Sequence, residues 1–442
     1  MSGNTSRRHA GTHDSQNRTS VSPARIAVLQ ALNKYRRQGT MEMPRCDRRD
    51  DERLAERIFW GALSYERFLD VCISSCLNGS SRLHPNVQDI LRMSVYQILF
   101  LDRVPESAVV NDAVQLCNRA GQKYASGMIN AVLRRICLEK HDLLSQELSP
   151  ALRFSHPDWL AEKMLQDHDE AFVTEFFKAD QEIPALCLQV NTKKTTLEEY
   201  TALLSSREIQ VLSSRTDFQS LKIAGTRVES LPGYRNGLFY VQDDAARAAV
   251  FLLNLKPGEK VLDACSAPGG KSIAAFLDGA EVISADISKT RLSRCRENYD
   301  RMQMPIPIIQ QDAAEEEKSF HEAFDAVVAD VPCSGSGIIR KHPEIRRKTY
   351  DEMETLLPLQ QRILENLSSY VKPGGTLLYS TCSVLREEDE NQVKIFLSSH
   401  PEFSLDPVLV PGFDCDGGTL RSWPHRNDND GFFAAKLKKS DD

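Results

Sequence analysis

This 442-residue chain predicts an α/β fold, an open doubly wound sheet preceded by an all-α region and a small α+β module. Three observations carry that prediction. Four apolar runs in the second half end in Asp, at Asp263, Asp286, Asp312 and Asp330, with helix-like segments between them, as in parallel strands joined by crossover helices. The first of these runs, Lys260-Val-Leu-Asp263, passes through a turn of small residues into Ile273-Ala-Ala-Phe-Leu277. From Pro23 to about Lys140, by contrast, apolar residues recur at helical steps and strand signals are absent.

Composition sets the bounds. A hydrophobic content of 41% and a charged content of 26% are ordinary for a globular protein, and the length predicts more than one domain. No run approaches the eighteen apolar residues of a membrane span, so no membrane partner is expected. Residues 1–22 are polar and Arg/Ser-rich, without the apolar segment of a secretory signal; they read as a disordered tail in preference to a transit peptide. Eleven cysteines, an odd number with no C-x-x-C pair, point to a reducing cytoplasm and against a zinc site, so no metal is expected. The net charge of −7 argues weakly against a wholesale basic coat for nucleic acid, and local patches can still do that work. The candidates are Arg134-Arg135, Lys193-Lys194 and the stretch around Arg340, Lys341 and His342, each of which alone is more often a solvated face than a binding site.

In chain order, residues 23–145 predict a bundle of helices. Ile26, Leu29 and Leu32 recur at three-residue steps, Leu91, Val95 and Ile98 at four and three, and Asn78-Gly-Ser-Ser81 and Pro105 punctuate the run. Cys72 and Cys76, one helical turn apart, read as core packing. The segments Leu91-Arg-Met-Ser-Val-Tyr-Gln-Ile-Leu-Phe-Leu101, Ala108-Val-Val-Asn-Asp-Ala113 and Ile129-Asn-Ala-Val-Leu-Arg-Arg135 resemble the NusB-type RNA-binding domain. Residues 146–238 mix helical stretches with β-like runs such as Ala185-Leu-Cys-Leu-Gln-Val-Asn191, a linker module placed to cover a sheet edge and shape a cleft. Residues 239–442 carry the doubly wound sheet, with a fifth strand after Pro373-Gly-Gly375 and a closing strand over Gly431-Phe-Phe-Ala-Ala-Lys-Leu437.

Ligands of such sheets bind at the carboxyl ends of strands, where these Asp residues gather. Gly269 and Gly270 let backbone approach a ligand closely, and the turn lacks both G-x-G-x-x-G and G-x-x-x-x-G-K-[ST], so a nucleotide cofactor other than a dinucleotide or P-loop ligand is expected. Two cysteines emerge at the same edge, in Asp330-Val-Pro-Cys333 and Ser380-Thr-Cys382. One chemistry that uses two thiols and a carboxylate is methylation at carbon 5 of a pyrimidine. That carbon is too poor a nucleophile until a thiolate adds to C6, and a base must then remove the C5 proton so that the adduct can eliminate.

The blocks Asp263-Ala-Cys-Ser-Ala-Pro-Gly-Gly-Lys271, Asp330-Val-Pro-Cys-Ser-Gly-Ser-Gly337 and Ser380-Thr-Cys-Ser383 resemble the RNA cytosine-C5 methyltransferases of the Sun superfamily. With the NusB-like front end, the chain is similar to the RsmB (Sun/Fmu) family, which acts on small-subunit (16S) ribosomal RNA. The resemblance implies a Rossmann-like class I methyltransferase sheet, S-adenosylmethionine as cofactor and a monomer acting on ribosomal RNA. It implies that Cys265, Ser266, Ala267, Pro268, Gly269, Gly270, Lys271, Asp286, Asp312 and Asp330 hold the cofactor, that Cys382 is the nucleophile and that Cys333 assists release. Val331 and Gln189 depart from the family, which usually has Ala and often Arg there. Competing readings are another RNA substrate such as tRNA, and a non-enzymatic RNA-binding factor, against which the two cysteines and the full Asp series argue. A DNA cytosine methyltransferase would have no use for Thr381-Cys382, and an amino-group methyltransferase would carry Asn/Asp-Pro-Pro-Tyr/Phe in place of Asp330-Val-Pro-Cys333.

Overall fold

The computed structural model describes residues 21–39, 41–77, 82–225 and 227–441. The tail reading for residues 1–22, save its last two residues, and the Asn78–Ser81 breaker lie outside the described residues. The chain divides into two compact units at Leu148/Ser149.

The first unit is helical throughout its described residues. Helices α1 (Pro23–Gln38), α2 (Arg49–Ser64), α3 (Glu66–Cys76), α4 (Pro85–Phe100), α5 (Glu106–Arg119) and α6 (Ser126–Ser145) enclose one apolar core. Pro23 and Pro85 open their helices where no N–H is needed, and Gly39 at φ 69° closes α1. Cys72 and Cys76 are both buried in this core, and Gly61 admits the Tyr96 ring where a Cβ would lie 2.0 Å from it.

The second unit holds two sheets. Strands β1 (Leu186–Val190), β2 (Val211–Arg215), β3 (Ser220–Ile223) and β4 (Phe239–Val241) form an antiparallel sheet in the order β2-β3-β1-β4. Residues Phe239 to Val241, which open the stretch expected to carry the doubly wound sheet, pair with β1 of the small sheet.

The larger sheet contains β5 (Lys260–Asp263), β6 (Glu281–Asp286), β7 (Ile308–Gln310), β8 (Phe324–Asp330), β9 (Val371–Thr381), β10 (Phe403–Leu405), β11 (Asp414–Asp416), β12 (Thr419–Ser422) and β13 (Phe432–Lys439). Its order is β11-β12-β13-β9-β8-β5-β6-β7, with β10 beside β13. Strands β5 to β9 are parallel, and β13 runs antiparallel to β9 as the predicted closing strand. The fifth parallel strand starts earlier than expected, at Val371. The register with β8 jumps from Phe324↔Val371 to Ala326↔Thr376, so Pro373-Gly-Gly375 bulges out of the ladder and its missing N–H leaves no bond unmade.

Candidate functional site

The strand ends of β5, β6, β8 and β9 bring the predicted residues to one edge. Parallel pairing sets Asp263 beside Ser284 and Asp330 beside Ser380, which fixes the depth at which each following loop begins.

After β5, the turn is held by its own backbone and by β6. The Ser266 amide donates to the Ala285 carbonyl at 2.8 Å, and the Ala267 amide donates to Asp286 Oδ2 at 3.3 Å. Gly269 adopts φ +103°, and a Cβ there would come within 2.8 Å of Tyr299, so only glycine lets the helix Gly270–Leu277 start this close to the sheet. Cys265 is half-buried, Pro268 exposed, and the Pro268 carbonyl accepts from Asn298 Nδ2 at 3.2 Å. Behind the turn runs a hydroxyl chain: Ser272 donates to Asp263 Oδ2 at 2.7 Å and contacts Ser284 at 3.1 Å, which in turn contacts Tyr299 at 2.7 Å.

The four strand-end carboxylates differ in environment. Burial pushes Asp263 up to about 7, and its Oδ1 is buried with no hydrogen-bond partner. Asp286 is buried and accepts from the Ser288 amide at 2.9 Å, with Arg291 Nη2 at 3.3 Å. Asp312 lies past the end of β7 and accepts from the Ala314 amide at 2.9 Å. Asp330 accepts from Ser380 Oγ at 2.8 Å through Oδ1, and Lys271 Nζ lies 2.7 Å from Oδ2. A buried carboxylate with an idle oxygen and a raised pKa, next to a turn that tolerates no Cβ, fits a small cationic ligand whose donors reach the sheet edge. S-adenosylmethionine, with an ammonium, a sulfonium and ribose hydroxyls, matches that donor set.

The two cysteines meet. Their Sγ atoms lie 3.2 Å apart, both half-buried. The hydrogen bond with Cys382, then burial, push the Cys333 thiol well up. Their loops are fastened together at several points. The Gly337 amide donates to the Cys382 carbonyl at 2.9 Å, Ser336 Oγ contacts Ser383 Oγ at 3.2 Å, and the Val384 amide donates to Ser336 Oγ at 3.0 Å. Gly337 and Gly431 pack backbone to backbone, the Gly431 amide donating to the Gly337 carbonyl at 2.8 Å; a Cβ on Gly337 would lie 1.9 Å from the Gly431 oxygen.

In the basic stretch after this loop, the first two residues engage carboxylates. Arg340 is buried, with Asp428 at 3.3 Å and Asp430 at 3.7 Å. Lys341 Nζ bridges Asp243 at 2.9 Å and Asp430 at 2.7 Å. The carboxylates offset these charges and make burial tolerable, and no composition rule shows them, because Asp243 and Asp430 are about a hundred residues away on either side. His342 stays exposed beside Glu344. Arg134 and Arg135 are exposed on α6, bonded to Asn130 at 3.1 Å and Glu139 at 2.8 Å respectively. Gln189 is buried and donates to Asp244 at 2.9 Å and to the Gln242 carbonyl at 3.2 Å. Among the described residues, no group of three or more His, Cys, Asp and Glu is placed to hold a metal ion, and no helix is long and apolar enough to cross a membrane.

Sequence reasoning missed Glu388 and Asp389. Both are fully buried, whereas the run Glu387-Glu-Asp-Glu390 looks like a solvated face. Asp389 accepts from Thr381 at 2.5 Å and faces Arg421 at 3.1 Å, bracing the residue before Cys382. The one available signal is their place within eight residues of Cys382.

Comparison with known proteins gives three family matches: 16S rRNA methyltransferase RsmB/F over residues 250–438, the NusB family over 22–137, and the RsmF/B-like ferredoxin-like domain over 156–228. Ribosomal RNA small subunit methyltransferase B of Pasteurella multocida is 33% identical, covering 85% of this chain and 84% of its own. The protein of the same name from Pseudomonas putida is 32% identical over 96% of this chain and 98% of its own. The crystal structure of PH0851 superposes with a TM-score of 0.77 at 27% identity, covering 95% of this chain and 99% of that one.

Proposed function

The chain belongs to the RsmB/F family of 16S rRNA methyltransferases, and from that membership we propose how its own residues divide the work of methylating carbon 5 of a cytosine in small-subunit ribosomal RNA. It is an S-adenosylmethionine-dependent enzyme. The division of labour rests on one observation above the rest, the 3.2 Å approach of Cys333 and Cys382 next to the Asp330–Lys271 pair.

In this reading Cys382 is the nucleophile. Its thiolate bonds to C6 of the cytosine, the C5=C6 electrons move into the C4–C5 bond, the C4=N3 electrons move onto N3, which takes up a proton, and C5 becomes enamine-like. Asp330, held in place by Ser380 and Lys271, would stabilise N3 as it takes up a proton. When bound, S-adenosylmethionine supplies an electrophilic methyl group on its sulfonium. Residues Cys265 to Lys271 would cradle it, Asp286 would take its ribose hydroxyls, and Asp263, Asp312 and Asp330 would complete the set of residues that hold it. Once Cys382 is consumed as a thioether, its hold on the Cys333 proton ends; Cys333, ionised by loss of that proton to water, then accepts the C5 proton, directly or through water, as the C6–S bond breaks, the Cys382 thiolate leaves and N3 gives its proton back to solvent. Arg134 and Arg135 contribute phosphate contacts. The eleven free cysteines, two of them required as thiols, suit a reducing cytoplasm, and the protein works there as a monomer.

The test uses labelled S-adenosylmethionine with unmodified small-subunit RNA, and a denaturing gel. Cys382→Ala should abolish methyl transfer and leave no protein–RNA adduct, while Cys333→Ala should accumulate a denaturant-resistant adduct that carries the methyl group. An adduct in the Cys382 variant and none in the Cys333 variant would reverse the two roles.

A further inference from the structure

Glu388 is fully buried, yet the chemistry above gives it nothing to do. Its carboxylate faces the Cys333 loop. Oε1 accepts from the Ser334 amide at 2.7 Å and from Gln360 Nε2 at 3.1 Å, and Oε2 accepts from Ser334 Oγ at 2.6 Å. The same Gln360 amide donates to the Pro332 carbonyl at 2.9 Å. Both neighbours of Cys333 therefore hang from one side chain, Ser334 directly and Pro332 through Gln360. The main chain of Glu388 is tied to the other thiol, since its carbonyl accepts from Tyr379 OH at 2.5 Å, on the strand that delivers Cys382.

A loop reading Cys-Ser-Gly-Ser-Gly from 333 to 337 has no large apolar side chain to fix it, and Gly335 sits at φ +77°. Backbone freedom there is high unless hydrogen bonds remove it. A carboxylate enclosed in protein is costly without donors, and these donors all belong to the segment that carries Cys333 or to the helix behind it. We propose that Glu388 is a positioning residue for Cys333: by gripping both flanks of that cysteine it holds the thiol against Cys382 and so governs release of the methylated base. The inference rests on the assignment of Cys333 to the release step.

The experiment uses the full-length protein with Glu388→Ala, Glu388→Gln and Ser334→Ala, and Cys333→Ala as reference. Read-outs are adduct formation and decay on a denaturing gel, kcat and KM, S-adenosylmethionine affinity and melting temperature. Glu388→Ala should form the adduct at close to the wild-type rate and keep KM and cofactor affinity, while adduct decay and kcat fall at least about tenfold, the scale of a misplaced general base. Glu388→Gln, which can still accept from the Ser334 amide, should recover part of the decay rate. A merely structural role would lower the melting temperature and slow formation and decay together, and that result overturns the proposal. Should Glu388→Ala fail to fold, Glu388→Gln and Ser334→Ala decide: adduct accumulation in them upholds it, and wild-type decay in both overturns it. An adduct in Cys333→Ala with none in the Glu388 and Ser334 variants removes this inference alone; no adduct in Cys333→Ala removes the release assignment and this inference with it.

Discussion

The sulfur of Cys333 lies 3.2 Å from that of Cys382, and the hydrogen bond between them is the largest influence on Cys333, holding its thiol protonated. Two thiols this close cannot both ionise at low cost, so the site separates a potential thiolate from a proton carrier by geometry.

Removing Cys382 should therefore make Cys333 easier to ionise. In Cys382→Ala, alkylation of Cys333 by iodoacetamide near neutral pH, followed by peptide mapping, should be faster than in the wild type. Equal rates in the two proteins would mean that burial alone sets the reactivity of Cys333.

Asp263 yields a prediction about the cofactor. Burial, its leading influence, holds this carboxyl up to about 7, and one oxygen has no partner. A cationic ligand prefers the ionised form, so S-adenosylmethionine affinity should rise between about pH 5.5 and 7, approaching tenfold per unit well below the pKa. Asp263→Asn should flatten that profile. Calorimetry that finds a pH-independent affinity in the wild type would place the ligand's cations elsewhere.

Much of this edge is legible in the sequence, and the parts that are not share a physical reason. Asp263, Gly269 and Gly270 are visible because strand, turn and helix follow one another within a dozen residues, each with its own local signal. The bundle is visible for the same reason, since helical periodicity is local. Arg340, Lys341 and Glu388 look like surface charge because their partners, Asp428, Asp430, Asp243 and Ser334, come from remote segments. The start of β9 is hidden by Pro373-Gly-Gly375, which reads as a breaker and is in fact a bulge inside the strand.

Lys341 tests the inward-facing cluster. Burial would raise Asp243, but the charge of Lys341 overrides it and holds the carboxyl down at about 2, while burial and Asp243 push Asp430 up. Replacing one partner of such a group leaves like charges facing each other, so Lys341→Met should cost about 3–5 kcal/mol at neutral pH. The sign with pH follows. In the wild type the Asp243 contribution is fully present above its unfolded value near 4 and is lost as pH falls through about 2. In Lys341→Met the facing carboxylates take up a proton much nearer neutrality, so the variant should gain stability on acidification from about pH 7.5 to 5. Denaturant titrations at several pH values decide it: a variant equally stable to the wild type, with unchanged pH response but weakened RNA binding, would restore Lys341 as an RNA contact.

The remaining test concerns α6. Arg134 and Arg135 project from it into solvent, and Arg134 borders a groove of about 790 Å³ that is also lined by Asn111, Ser126, Gly127 and Asn130. The ion pair of Arg135 with Glu139 is exposed and contributes little to stability, so both arginines can be replaced without harm to the bundle. If they meet RNA phosphates, each neutralised phosphate releases counterions, and the slope of log affinity against log salt should become shallower by about one for each phosphate that is no longer neutralised. Arg134→Glu with Arg135→Glu should therefore weaken binding of small-subunit RNA most at low salt, with melting temperature and S-adenosylmethionine affinity unchanged, because the residues proposed to hold the cofactor all lie in the second unit. An unchanged salt slope would assign these two arginines to an ordinary solvated helix face and leave His342 and the Lys193-Lys194 pair as the basic groups to test next.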